Sequence, residues 1–325
     1  MRVSERPADQ SGAGWPGRLH VVTGKGGTGK TSVAAALALG LAAGGRRTLL
    51  VEVEGRQGIA QLFDTEPLPY AERHLTAAPG GGEVRALAVD AETALLEYLD
   101  MFYKLGGAGR ALRKLGAIDF ATTIAPGLRD VLLTGKVKEA TTRTDGQRPA
   151  YDAVVLDAPP TGRIGRFLNV TAETARLAKV GPIKTQSEGV AALLRSTVTR
   201  VHVVTLLEEM PVQETVDSIA ELTALGFPVG RVIVNAVRAP LLAGRAVSQA
   251  ELRRGLLAAG LPAEKEVVAR LHDEAREQVV RRELEDSLRA ELGELGRPLT
   301  ELPLLPDGVD RAGLETLAAQ LVRAD

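Results

Sequence analysis

The sequence predicts an α/β fold: a doubly wound, mostly parallel sheet with an inserted α-helical subdomain. Three observations carry that prediction. Short β-branched runs alternate with helical segments along the chain. The first such run leads directly into a glycine-rich turn and then an apolar helix. A later run, "AVVLD", is apolar almost throughout, as a strand covered on both faces requires. Strands separated by helices pair in parallel through right-handed crossovers.

Taken in order, residues 1–17 read as a flexible tail, polar and rich in Pro and Gly, and residues 18–325 as one domain. The expected strands are Leu19–Thr23, Thr48–Val53, Val84–Val89, Ala153–Asp157, Val201–Leu206 and Arg231–Asn235, with Leu302–Leu305 a candidate last one. "TSVAAALALGLAA" supplies the helix after the first strand. Between Asp90 and Thr144 the pattern changes. "AETALLEYLDMFYKL" repeats apolar residues at helical spacing, glycines 106, 107, 109 and 116 interrupt it, and "PGLRDVLLTGKVKEA" opens another helix after Pro126. Thr171 to Ser196 is also helical, broken at Gly181-Pro182. These stretches, roughly 91–145 and 168–198, make up the expected helical subdomain. Glu264 to Leu292 is a long charged packing helix with Val267, Val268, Leu271 and Ala275 on one face.

Composition removes several function classes. Of 325 residues 45% are hydrophobic and 25% charged, and the formal net charge is -1, so nothing global favours nucleic acid or an anionic membrane surface. The apolar run Val33 to Ala43 is too short to span a bilayer, and the polar start of the chain does not resemble a secretory signal; the expected location is cytoplasmic. Cysteine is absent, which excludes disulfides, thiolate zinc sites, iron–sulfur clusters and cysteine nucleophiles. The four histidines show no pair at metal-ligand spacing, and His20 and His202, in apolar strands, are expected to be hydrogen-bonded within the protein.

"HVVTGKGGTGKTSVAAALALGLAAGG", residues 20–45, satisfies two glycine fingerprints. Gly24, Gly26 and Gly29 spell a dinucleotide-binding GxGxxG, with Glu52 and Glu54 as candidate ribose acids. Gly24, Gly29, Lys30 and Thr31 spell the P-loop GxxxxGK[ST]. The lysine and hydroxyl decide for the P-loop. Backbone N–H groups from Gly24 through Gly26, Gly27, Thr28 and Gly29 to Ser32 wrap phosphates, Lys30 reaches the β- and γ-oxygens, and Thr31 ligates Mg²⁺. ATP or ADP with Mg²⁺ is the expected ligand.

Lys25 makes the segment "GKGGTGKT" a deviant Walker A loop. It resembles the deviant P-loop ATPases that work as face-to-face dimers, including chromosome-partitioning ATPases, nitrogenase iron proteins and the arsenite-pump/tail-anchored-protein-targeting (ArsA/Get3) family. In that class the extra lysine reaches the partner's nucleotide, so the resemblance implies such a role for Lys25; a solvated loop lysine is the plainer alternative. "VVLDAPPTGRIGRFL", residues 154–168, looks like the ArsA/Get3 switch II, DTAPTGH followed by a helix. Asp157 would then stand behind Mg²⁺, or else merely cap a turn. "VTLLEEMPVQETVDSIAELTALGFPVGRVIVNAV" resembles the block ending in the Asn that reads adenine, here Asn235, unless that residue only turns the chain. "ELPLLPDGVDRAGLETLA" resembles the adenine-side loop, with Pro306 and Asp307 nearest the base. The likeness covers most of Leu19 to Leu317, in order, and is strongest to the paired actinobacterial members, whose related subunits associate.

Some residues depart from the family pattern. Its switch I uses an Asp-Pro-Ala segment to orient water; here "VEVEGRQGIAQLF" places Glu54 there, with Glu52 the fallback and a purely structural acid the alternative. One extra methylene moves the carboxylate by about 1.5 Å, and a misplacement of ~1 Å costs on the order of 10²-fold in rate. Glu54 is counted with Thr31 and Asp157 as a Mg²⁺-associated residue. Without cysteine there is no arsenite-thiolate site and no CxxC zinc site. Leu95, Leu96, Leu99, Met101, Phe102, Leu105, Leu112 and Leu115 form either a client groove or ordinary core.

The resemblance thus implies an Mg·ATP-driven dimeric switch, pairing with itself or a related subunit and acting on a membrane-protein client or transporter. The alternative is a low-turnover nucleotide-binding regulatory subunit of a heterodimer. A DNA-partitioning ATPase would want a basic stripe, and a small-molecule kinase has no use for Lys25.

Overall fold

The computed structural model describes residues 14–94, 97, 127–177, 182–242 and 246–323. β1 (Leu19–Gly24) is followed by α1 (Lys30–Ala42), β2 (Arg47–Glu52), α2 (Gly58–Leu62), β3 (Arg73–Ala78) and β4 (Gly82–Ala88). Next come α3 (Leu128–Thr142), a small hairpin of β5 (Thr144–Asp145) and β6 (Arg148–Pro149), β7 (Ala153–Asp157), α4 (Thr161–Leu177) and α5 (Pro182–Leu194). β8 (Thr199–Thr205), α6 (Glu209–Ala224), β9 (Val229–Val237), α7 (Gln249–Ala258), α8 (Lys265–Glu294), β10 (Leu299–Pro303) and α9 (Arg311–Arg323) complete the chain.

Eight strands form one sheet in the order β10-β9-β8-β1-β7-β2-β4-β3. Every pairing is parallel except β3 with β4. This is the mostly parallel α/β architecture of a P-loop NTPase, as expected. The sheet is covered on both faces, so its strands alternate between two apolar clusters. Leu19, Val21, Leu49, Leu156, Val203 and Val234 face one, with Phe167, Leu222 and Leu292. Val22, Leu50, Val155, Val204 and Ile233 face the other, with the alanine-rich α1 and Leu314 and Leu321 of α9. α1 is buried from Val33 to Ala42. Its small residues let neighbours approach: a Cβ at Gly82, where β4 begins, would stand 1.8 Å from the Ala42 carbonyl oxygen.

Four expectations need correction. Trp15, placed in the flexible tail, is 1% exposed and its Nε1–H donates to Leu321 O at 2.9 Å, so the domain starts before residue 18. β3 was not anticipated; its pattern mixes exposed and buried positions without β-branched repetition, as an edge strand allows. α4 starts at Thr161, ahead of the expected helical stretch, because the Pro160 carbonyl accepts from Arg163 N at 2.8 Å and Ile164 N at 3.1 Å. Val267 is 42% exposed, whereas Val268 and Ala275 are buried. α3, α4 and α5 pack on one another. The leucine-rich groove candidates between 95 and 115 lie outside the described residues.

Candidate nucleotide site

Every residue singled out for the site stands at the C-terminal edge of the parallel strands, where open α/β sheets bind ligands. β1 ends at Gly24 and turns directly into the loop Lys25–Gly29; β7 delivers Asp157, and β2 runs out towards Glu54. β9 carries Asn235 near its end, and the exposed turn holding Pro306 and Asp307 follows β10.

The loop is held by its own atoms. Lys25 O accepts from Thr28 N at 3.3 Å, Thr28 Oγ1 at 2.9 Å and Lys30 Nζ at 3.4 Å. Thr28 is buried, while Gly26 and Gly27 are exposed. A Cβ on either of those glycines would meet no protein atom within 4 Å, so packing does not demand glycine there and space stays open above the loop. α1 then starts with no side-chain cap and no acidic residue in its first turn. Its first N–H groups, Ser32 among them, therefore lack the side-chain acceptor that usually satisfies them, which suits an anion.

Beneath this helix start, Thr31 Oγ1 donates to Asp157 Oδ2 at 2.7 Å. With its proton turned to the carboxylate, the hydroxyl oxygen keeps lone pairs for a cation, so the pair fits Mg²⁺. Burial pushes Asp157 up to about 6, against the opposing pull of the Thr31 hydrogen bond and the Lys30 ammonium. Burial likewise lowers Lys30, with Asp157 and Glu54 working against it. A lysine short of counter-charge and a carboxylate straining toward neutrality are both poised to gain from added ligand charge. Among the described residues no group of three or more His, Asp or Glu side chains is arranged to hold a metal alone.

The two switch I acids separate. Glu52 is 3% exposed and accepts from Gln57 N at 2.5 Å and Ile59 N at 3.2 Å, so it holds the loop into α2. Glu54 faces Arg163 Nη1 at 3.4 Å and Arg56 Nε at 3.6 Å. Asn235 is not idle either: its Nδ2 donates to Thr28 O at 2.9 Å, bridging β9 to the loop.

Two residues emerge that the sequence did not mark. Glu214 Oε1 pairs with Lys25 Nζ at 2.7 Å, and its Oε2 accepts from Thr161 Oγ1 at 3.1 Å. Arg163 joins Glu54 to Asp130 of α3, 3.9 Å from its Nη2. Arg163 stood inside the quoted switch II stretch and was open to notice, where the family has a histidine. Glu214 lies on α6, inside the block that ends near Asn235, and no spacing announces its pairing with Lys25.

Residues 18–195 match the family described as Anion-transporting ATPase. The chain is 55% identical to ATPase BagA of Mycobacterium tuberculosis over 99% of this chain and 100% of that protein. It is 26% identical to an Arsenical pump-driving ATPase of Acidiphilium multivorum, over 77% of this chain and 43% of that protein. It is 28% identical to ATPase GET3 of Kluyveromyces lactis, over 51% of each.

Proposed function

The chain belongs to the anion-transporting ATPase family, and from that premise we propose that it binds and hydrolyses Mg·ATP as a dimeric switch. The observation that carries this is the Thr31–Asp157 hydrogen bond, 2.7 Å, set beneath an uncapped helix start beside a partly buried Lys30. Lys30 stabilises charge developing on the γ-phosphoryl group. Thr31, with Asp157 behind it, would hold Mg²⁺, which would neutralise the phosphate oxygens. Glu54 orients the attacking water once Arg163 and Arg56 yield its carboxylate. Asn235 and the turn at Pro306 and Asp307 flank the base.

Lys25 acts across a dimer in this reading, so it must exchange Glu214 for a partner's nucleotide. Switch II feels that exchange through Thr161, which donates to the same Glu214 carboxylate, and passes it to α3, α4 and α5, which present the change to a membrane-protein client or transporter. A low-turnover regulatory subunit is the second reading, and the observation favouring it is the Arg163–Glu54 contact, which occupies the acid a fast hydrolase needs free.

The test is steady-state Mg·ATPase activity over a wide range of protein concentration. Specific activity rising with concentration and collapsing in Lys25→Ala supports the dimeric hydrolase. Tight ATP binding with no turnover, restored by a related subunit, selects the regulatory reading. No ATP binding at all would end both.

A further inference from the structure

One contact in the site turns Asn235 toward the glycine-rich loop. Asn235 Nδ2 donates to the carbonyl oxygen of Thr28 at 2.9 Å, tying the end of β9 to the middle of the glycine-rich loop. The approach is close on both sides. A Cβ added to Gly29 would fall 2.4 Å from Asn235 Nδ2, so the loop was able to come this near only because residue 29 has no side chain. Gly29 also sits at φ 83 and Ala236, directly after the asparagine, at φ 55, both in the left-handed region. For alanine that conformation is costly and persists only where surroundings impose it. The backbone therefore bends directly after the residue that makes the contact.

The peptide plane gives the contact its meaning. In a trans peptide the C=O of Thr28 and the N–H of Gly29 point in opposite directions. Holding the carbonyl toward Asn235 turns the Gly29 N–H away from β9 and keeps a carbonyl oxygen from facing a bound anion. Released, this peptide, with glycine on its C-terminal side, can flip and present oxygen to phosphate in place of N–H.

We propose that Asn235 is a positioning residue for the phosphates: it locks the Thr28–Gly29 peptide in the anion-binding orientation, independently of any base. The ligand arm of the test rests on the nucleotide reading above, and the ligand-free arm does not. Affinities of the full chain for ATP and for inorganic tripolyphosphate are measured by calorimetry, in wild type and in Asn235→Ala. Loss of one neutral hydrogen bond predicts that both fall, tripolyphosphate by about fivefold and ATP by at least as much. Hydrogen exchange of the Lys25–Gly29 amides, measured without ligand, is expected to quicken in the variant. Asn235→Ser, whose hydroxyl is too short to span the gap, repeats both effects and stands in if the alanine variant folds poorly.

A fall for ATP alone, with tripolyphosphate unchanged and exchange unaltered, overturns the proposal and leaves Asn235 to the base. Unchanged affinity for both ligands overturns it as well. If wild type binds neither ligand, the nucleotide reading fails, while the ligand-free exchange still decides whether Asn235 locks the loop.

Discussion

Two kinds of buried titratable residue pull on stability in opposite directions. His20 Nδ1 lies 3.1 Å from His202 Nε2, and His202 Nδ1 accepts from Arg231 N at 3.1 Å. His202 therefore carries its proton on Nε2 and donates to His20, and both rings are neutral. Burial lowers His20 from 6.5 to about 4, with Arg200 adding to it, and lowers His202 well below 6.5, with His20, Arg231 and Arg200 adding. Since the unfolded imidazole takes a proton first, this stability is full above pH 6.5 and is lost as pH falls through about 4. For His20 the loss is on the order of 3 kcal/mol. Asp157 runs the other way: raised from 3.8 to about 6, its contribution is full below pH 3.8 and lost as pH rises through about 6. Urea midpoints across this range are expected to fall more steeply on acidification in Asp157→Asn than in wild type, and less steeply in His20→Gln. Parallel curves for all three would show that neither residue titrates as its burial requires. The sequence revealed both histidines as internal, because apolar neighbours enclosed them, but not their pairing, which depends on the β1–β8 register.

At the scale of elements, the layer formed by α1, the sheet and α9 is closed by a segment that composition alone assigned to a tail. Trp15 packs its ring 4.8 Å from His202 and beneath the Arg231 guanidinium, 5.1 Å away, while bonding to α9. Truncating a buried aromatic side chain of this kind costs about 3–5 kcal/mol. Trp15→Ala is therefore expected to lower the denaturant midpoint sharply without changing nucleotide affinity, since the ring is remote from the loop at the other ends of the strands. A midpoint within error of wild type would mean that the segment contributes nothing. Strands with uninterrupted Val, Leu and Ile, such as Ala153–Asp157, were legible to the residue. β3, "RHLTAA", was not: at an edge with one pairing partner, it is only partly buried and shows no apolar run.

Across the whole molecule, the parallel topology gathers residues far apart in sequence onto one edge, which is why the site was so largely legible. β1, β2, β7, β9 and β10 bring residues at or just beyond their C-terminal ends, and those residues carry the motifs. What stayed hidden were the cross-contacts, since Lys25–Glu214 and Arg163–Glu54 join segments with no shared spacing. The first has a consequence for assembly. Glu214→Gln keeps the shape and removes the charge holding Lys25, a half-exposed pair worth up to about fivefold in an equilibrium. Half-maximal ATPase activity is therefore expected at a lower protein concentration in the variant, with an unchanged midpoint showing that the pair is no brake on pairing. Trp15 offers a way to watch such events. It is the chain's single tryptophan, seated against two imidazoles at the strand ends opposite the loop, so the protein's tryptophan fluorescence comes from one known place. Emission that shifts when ATP is added would report a disturbance carried along the strands from one rim of the sheet to the other. Emission that holds steady, yet is quenched on acidification, would make the same indole a private gauge of imidazole charge.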